Sequence, residues 1–388
     1  MSVKQKKVFG IDEQTAKEIL EVALSTGGDF AEVYMEETSN ETFSLVSGRL
    51  EKADVSKVKG AAVRIIKGVL EVNCSTTICT KEALLEKARV LAGSFDGEKI
   101  AEVQEFNETE VELHVNPLKI RNDNIEQEVT LLQEATKGAK EYSAEIVQVL
   151  ANLTKKDQQM FVFASDGTWA TDHRCNTRIG LSAVASDGKS MQSVGDSFGR
   201  NQGMEMFEGF NPYEFGKTIA ANSVEMLYAD EMTGGEMPVV LHNGFGGVIL
   251  HEACVHGLEA TSVANGMSVF CGKVGEKIAS DIVNAVDEGV SDNLWGSINV
   301  DDEGTPSQRR LLIENGILKG YLVDKRNARK MDHPITGSSR RESYKFQTTS
   351  RMTNTYFLPG KSTFEEILIP DFPISIKKQF LLKVIKLK

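Results

Sequence analysis

Apolar positions at Ala16, Ile19, Leu20 and Ala23 fall on one helical stripe, which predicts an amphipathic helix over 12–26 with Asp12 as its N-cap and Gly27-Gly28 at its end. The pattern then changes period. Short alternating runs at 30–36, 42–47, 60–66 and 69–78, separated by Ser47-Gly48 and Lys67-Gly68, predict antiparallel strands and hairpins. Helical spacing returns near 81–92 and 116–141. From about 145 the chain alternates again, at 146–152, 160–165, 177–186 and 190–198, with turn signals at Ser165-Asp166-Gly167 and Ser186-Asp187-Gly188. A helix near 213–229, a strand at 237–241 and a hairpin over 311–318 about Asn315-Gly316 complete the pattern. The whole reads as an α+β chain, with an N-terminal α/β domain over 1–144 and a β-rich domain over 145–388.

Composition narrows the function classes. The 388 residues suffice for a core without disulfide staples, and the five cysteines form no CxxC pair. A formal net charge of −12 repels phosphate backbones and anionic membrane surfaces, so neither nucleic acid nor a membrane is an expected partner. No run of 18 apolar residues occurs and the first residues lack an apolar signal core, which together predict a cytoplasmic protein. The charge is uneven. Five lysines and no acid follow Asp371, so the body of the chain is five charges more negative than the whole.

The segment Val239–Ala260 carries the chemistry. A short apolar strand ends at Leu241, a glycine-containing turn follows, and an apolar helical stretch then bears His251, Glu252 and His256, an HExxxH pattern. Imidazole is a common zinc ligand, and a neighbouring glutamate can serve as general base toward a metal-bound water. The familiar zinc-peptidase spacing is i, i+4; here it is i, i+5, which on a straight helix separates the rings by about 140°. One ion can then be shared only if the backbone is distorted between Glu252 and His256, for instance by a π-bulge. The competing reading is two ordinary helix histidines.

Other residues point elsewhere. Asp301-Asp302-Glu303-Gly304 lacks the ligand alternation of a calcium loop and reads as an acidic turn. Gly244, Gly246 and Gly247 lack a phosphate-loop frame. Arg340-Arg341 suits either a substrate carboxylate or carbonyl, or a structural ion pair. His114, His173, His242 and His333 have no spacing that suggests a site, and Cys254 and Cys271 are small apolar residues first and stand-in ligands second.

With those residues in place, His251-Glu252-Ala253-Cys254-Val255-His256-Gly257-Leu258-Glu259-Ala260 resembles the signature of the TldD/PmbA metallopeptidases, the modulators of DNA gyrase. Further segments resemble the same family in order: Trp295–Pro306, Gly316–Leu322, Thr336–Tyr344 and Arg351-Met352-Thr353-Asn354-Thr355, with Gly60-Ala61-Ala62-Val63-Arg64 matching more loosely. The resemblance runs over roughly residues 12–368. It implies an α/β N-terminal domain, a β-rich and barrel-like C-terminal domain carrying the HExxxH helix, and zinc-dependent cleavage of unfolded peptides bound as an added β-strand. It also implies a homodimer, or a heterodimer with a PmbA-like subunit. Since the PmbA-like partners lack HExxxH, this chain resembles the TldD type. By that match His251 and His256 are zinc ligands and Glu252 activates a zinc-bound water.

Two departures stand out. Val255 occupies a position where many members have glycine, and a β-branched residue stiffens a distorted turn. The family's third ligand is a cysteine in a glycine-rich terminal segment, whereas no cysteine follows Cys271 here and the resemblance fades after Leu368. The sequence therefore suggests a chain shortened at its C-terminus, against a natural basic tail. It leaves a second functional reading open: a catalytically impaired or non-catalytic peptide-binding subunit of such a dimer.

Overall fold

The computed structural model describes residues 9–111, 124–230, 234–236, 240–241 and 243–367. The basic tail, His114, His242, most of the strand expected at 237–241 and the start of the helix expected at 116–141 lie outside these residues.

A long twisted sheet organises the chain. Its strands are β1 (Phe30–Val46), β2 (Arg49–Lys67), β3 (Leu70–Thr76), β4 (Asn107–Glu108), β5 (Ile146–Ala164), β6 (Thr168–Ser186) and β7 (Met191–Asn201). The order is β3-β2-β1-β5-β6-β4, with β7 also on β6; all pairs are antiparallel except β4 with β6. Because β1 pairs with β5 from Glu32↔Ala164 to Val46↔Leu150, the sheet runs straight across position 144.

The period-2 alternation of the strands assigns each face. Odd positions of β1 and β5, such as Val33, Met35, Phe161 and Phe163, pack under α1 (Glu13–Ala23) and α2 (Lys81–Ala92). Further along the same face, Phe43, Leu45, Val149, Leu153 and Ile179 pack under α3 (Ile125–Tyr142) and α4 (Pro212–Leu227). Capping follows the sequence signals: Asp12 Oδ1 accepts from Thr15 N at 2.9 Å, Thr80 caps α2 and Asn211 caps α4 with Pro212 in its first turn.

Much of the even face is buried too, by the apolar cluster of Tyr34, Met160, Val162, Ala170, Val300 and Tyr344 and by polar groups around it. It meets a second unit built on α5 (Asn243–Ala253), α6 (Ala260–Val263) and α7 (Lys325–Met331). That unit holds a four-stranded sheet, ordered β10-β9-β8-β13, of β8 (Ala285–Glu288), β9 (Arg309–Glu314), β10 (Ile317–Leu318) and β13 (Thr355–Phe357). A two-stranded ribbon pairs β11 (Ser339–Arg340) with β12 (Thr349–Ser350). The expected hairpin is present, turning at Asn315-Gly316, both with positive φ. The barrel-like form expected for this half is not what the described residues show. Their sheets are open, because β10 and β13 end the four-stranded sheet instead of pairing with each other.

The expected acidic turn is present, closed by Gly304 N donating to Asp301 O at 3.0 Å, but it is buried. Asp301, Asp302 and Glu303 are each only 1% exposed. Arg64, fully buried on β2, ion-pairs with Glu303, with Glu71 at 3.0 Å and with Glu32 at 3.6 Å. Arg341 reaches Glu32 at 2.9 Å, and Arg174 bridges Asp172 at 2.9 Å and Asp302 at 2.8 Å. Burial is the largest influence on Asp302 and Glu303 and opposes their charge, yet Arg174 with the Arg341 backbone and Arg340 on Asp302, and Arg64 with Lys325 on Glu303, together outweigh it, and both carboxyls lie below their ordinary range. Gly60 belongs to the same junction: a Cβ there would collide with the ring of Tyr344.

This polar clasp joins the second unit to the sheet. Substituting Arg64→Met strands Glu32, Glu71 and Glu303 in a dry interior, so stability should fall by about 3–5 kcal/mol. Urea unfolding measures it, and an unchanged midpoint would contradict the role given to Arg64.

Candidate metal centre

The helix bearing His251 and Glu252 does not continue to His256. Its last regular bond runs from Cys254 N to Leu250 O at 3.1 Å; Cys254 then takes φ −125° and ψ −60°, and residues 255–258 form a 3₁₀ turn closed by Gly257 N to Cys254 O at 2.9 Å. The expected distortion is therefore present, as a helix break and a tighter turn instead of a π-bulge. Its cause is packing. Val255 and Leu258 are fully buried in the core of the second unit, beside Tyr321, Leu322 and Val323. The turn rolls both inward and swings His256 back toward His251.

The two imidazoles consequently meet, with ring centroids 4.6 Å apart and planes at 90°. Glu252 faces both: Oε1 lies 4.0 Å from His251 Nε2 and Oε2 lies 3.8 Å from His256 Nε2. One donor atom from each of the three residues falls within 4.8 Å of the others. Two donors on one tetrahedral zinc stand about 3.4 Å apart, so small side-chain rotations suffice to close the set.

Sequence reasoning gave no role to the next layer. Glu259 is nearly buried, and its Oε1 accepts from His256 Nδ1 at 3.2 Å. That bond fixes the tautomer and leaves Nε2 as the free donor, the arrangement expected behind a metal-binding histidine. Arg351 stands 3.7 Å behind Glu259. Burial raises the Glu259 pKa, while Arg351 and His256 pull it back. A glutamate three residues after the second histidine was the available signal. On His251, burial and then the neighbouring His256 lower the pKa, which favours the neutral, ligating form.

The other candidates stand apart. Cys254 is half-buried, with its thiol pKa raised by burial, and Cys271 Sγ points to Val263 O at 3.4 Å; neither joins the His-Glu-His group. His173 contacts Asp157 and His333 contacts Pro334 O. Arg341 is an ion-pair residue, as one of its two readings held. The chemistry of the donors fits a zinc ion with two imidazoles and an adjacent carboxylate. With Glu252 kept as base, the described residues supply two of the three protein ligands usual at a catalytic zinc.

Comparison with known proteins adds the family context. Residues 31–92, 118–227 and 234–370 match, in order, domain 1, the central domain and the C-terminal domain of the PmbA/TldA metallopeptidases. A metalloprotease TldD homolog of Haemophilus influenzae is 32% identical over 92% of this chain and 76% of its own length. A zinc metalloprotease TldD homolog of Saccharolobus solfataricus is 28% identical over 50% of this chain and 43% of its own. Among solved structures, TldE from Thermococcus kodakarensis superposes with a TM-score of 0.69 at 17% identity, covering 91% of this chain and 79% of that one. A protein of Bacteroides thetaiotaomicron named for modulation of DNA gyrase gives 0.73 at 16% identity, covering 92% and 79%.

Removing the carboxylate behind His256 tests the geometry. Glu259→Gln should weaken zinc binding about 10–100-fold, measured by competition with a chelator. Affinity equal to that of the unaltered protein would show that Glu259 does not orient the ligand.

Proposed function

The chain belongs to the PmbA/TldD metallopeptidase family, and on that premise we propose that it is a zinc-dependent peptidase acting on unfolded or flexible peptides. The observation that carries this reading is the convergence of His251, Glu252 and His256 despite a spacing that a straight helix would splay. His251 and His256 would hold the ion through their imidazoles. When bound, zinc supplies a Lewis acid that polarises a peptide carbonyl and acidifies water. Glu252, two-thirds exposed and beside both rings, takes the proton of the attacking water and returns it to the departing amine. Glu259 holds His256 in register while this happens.

The peptide is expected to lie as an added strand, read through its backbone. We place the chain in a dimer with itself or with a PmbA-like subunit, in the cytoplasm. Among the described residues no helix is long and apolar enough to cross a membrane, and all five cysteines are free. A second reading rests on the donor count. Two imidazoles hold zinc weakly, and a chain that keeps the peptide surface without tight metal would be a non-catalytic subunit. Tight, stoichiometric zinc separates the first reading from the second.

Glu252→Gln provides the test of the chemistry. The variant should retain zinc while cleavage of an unstructured peptide falls about 10²–10⁴-fold. Cleavage at the unaltered rate would remove Glu252 from the reaction.

A further inference from the structure

A cavity of about 450 Å³ lies on the even face of the long sheet, where β1, β5 and β6 meet the loop 295–298 and the ribbon strand β11. Its wall is strongly basic. Three of its five cations are already matched: Lys155 by Glu41 at 2.7 Å and Glu128 at 2.6 Å, Arg174 by Asp172 and Asp302, and Arg341 by Glu32. Glu41, the one carboxylate on the wall, is thereby used. The other two cations, Lys156 and Arg340, have no carboxylate within 4 Å and no side-chain hydrogen bond among the described residues.

Asp302 acts on both from beyond ion-pair distance, with Glu36 on Lys156 and Asp287 on Arg340, so neither has a direct partner, and a recessed cation without one is costly unless something anionic joins it. The environment registers that cost: burial and then Arg174 lower the pKa of both Lys156 and Arg340.

The cavity is also tied to the metal centre. Arg340 pairs across the ribbon with Thr349, whose Oγ1 lies 2.8 Å from Thr261 Oγ1, two residues after Glu259. Two residues beyond Thr349 the chain reaches Arg351, which stands behind Glu259. Arg340 and His251 share the electrostatic influence of Asp287 and Arg351. Trp295, 46% exposed, adds an aromatic wall.

We propose that this cavity is a substrate subsite that takes the free carboxylate at the C-terminal end of a peptide, gripped by the Arg340 guanidinium and the Lys156 ammonium beside the Trp295 ring. A planar guanidinium matches a carboxylate with two parallel hydrogen bonds, and the lysine adds a point charge. Trp295 gives the terminal side chain an apolar surface. This rests on the peptidase reading and adds to it a preference for chain ends: a peptide held here is anchored by its terminus while its backbone leads toward His251 and His256.

Binding to the full-length, metal-stripped protein tests the subsite apart from catalysis. Fluorescence anisotropy compares an N-terminally labelled, unstructured peptide as free acid and as C-terminal amide. The acid should bind about tenfold more tightly. Arg340→Gln and Lys156→Gln should each reduce that preference, and Arg340→Lys should keep part of it. Equal binding of acid and amide overturns the proposal, as does a preference that survives Arg340→Gln. Inorganic phosphate whose binding is lost in Arg340→Gln yet does not displace the acid from the unaltered protein assigns the cavity to another anion and overturns it too. An acid preference in a protein that cleaves nothing when zinc-loaded would count against the peptidase reading and leave the subsite standing.

Discussion

Charge buried between the long sheet and the second unit is the constraint on which the architecture rests. Arg64, Arg174 and Arg341 meet Glu32, Glu71, Asp172, Asp302 and Glu303 in one layer, with Arg64 and Glu32 fully buried. Such groups are expensive out of water and are tolerable only when their partners arrive together. The pairing is therefore specific about geometry in a way an apolar layer is not: a slipped strand would strand a charge. The middle of the sheet is thus covered on both faces, one by the four helices and one by this clasp with the apolar cluster of Tyr34, Val162, Ala170 and Tyr344 beside it.

The metal centre inherits its order from the clasp. Asp301 Oδ2 accepts from Ser339 N at 3.0 Å, and Asp302 Oδ2 accepts from Arg341 N at 2.6 Å, so the acidic segment fixes the ribbon strand β11. The ribbon's second strand holds Thr261 through Thr349 and Ser350 and delivers Arg351 behind Glu259. Glu259 in turn holds His256. A continuous path of short polar contacts thereby runs from the sheet to one proposed ligand. The other, His251, is set by α5, and the break at Cys254 brings the two together.

Much of this was legible in the chain. The helix at 12–26, the helices near 81–92 and 213–229 and the Asn315-Gly316 hairpin all follow from periodicity and turn chemistry, because local signals decide them. The HExxxH spacing also announced a distortion, although its form depended on where Val255 and Leu258 had to pack. Long strands were harder. The 30–36 and 42–47 runs are one strand, as are 146–152 and 160–165, because the polar residues between them stay in register on the sheet without an apolar partner to mark them. The acidic turn at 301–304 was legible as a turn, but its burial was not, since its partners Arg64 and Arg174 lie more than a hundred residues away in sequence. Glu259 had a signal in its i+3 spacing from His256, whereas Arg351 had none, and contact geometry alone shows where it stands.

The central claim is that a broken helix places two histidines on one ion. X-ray absorption at the zinc edge, on protein loaded with one equivalent of zinc, tests it most directly. The account predicts two imidazole nitrogens at about 2.0–2.1 Å, with one lost in His251→Ala and one in His256→Ala. A zinc shell without histidine nitrogen, or one unchanged by both substitutions, would contradict it.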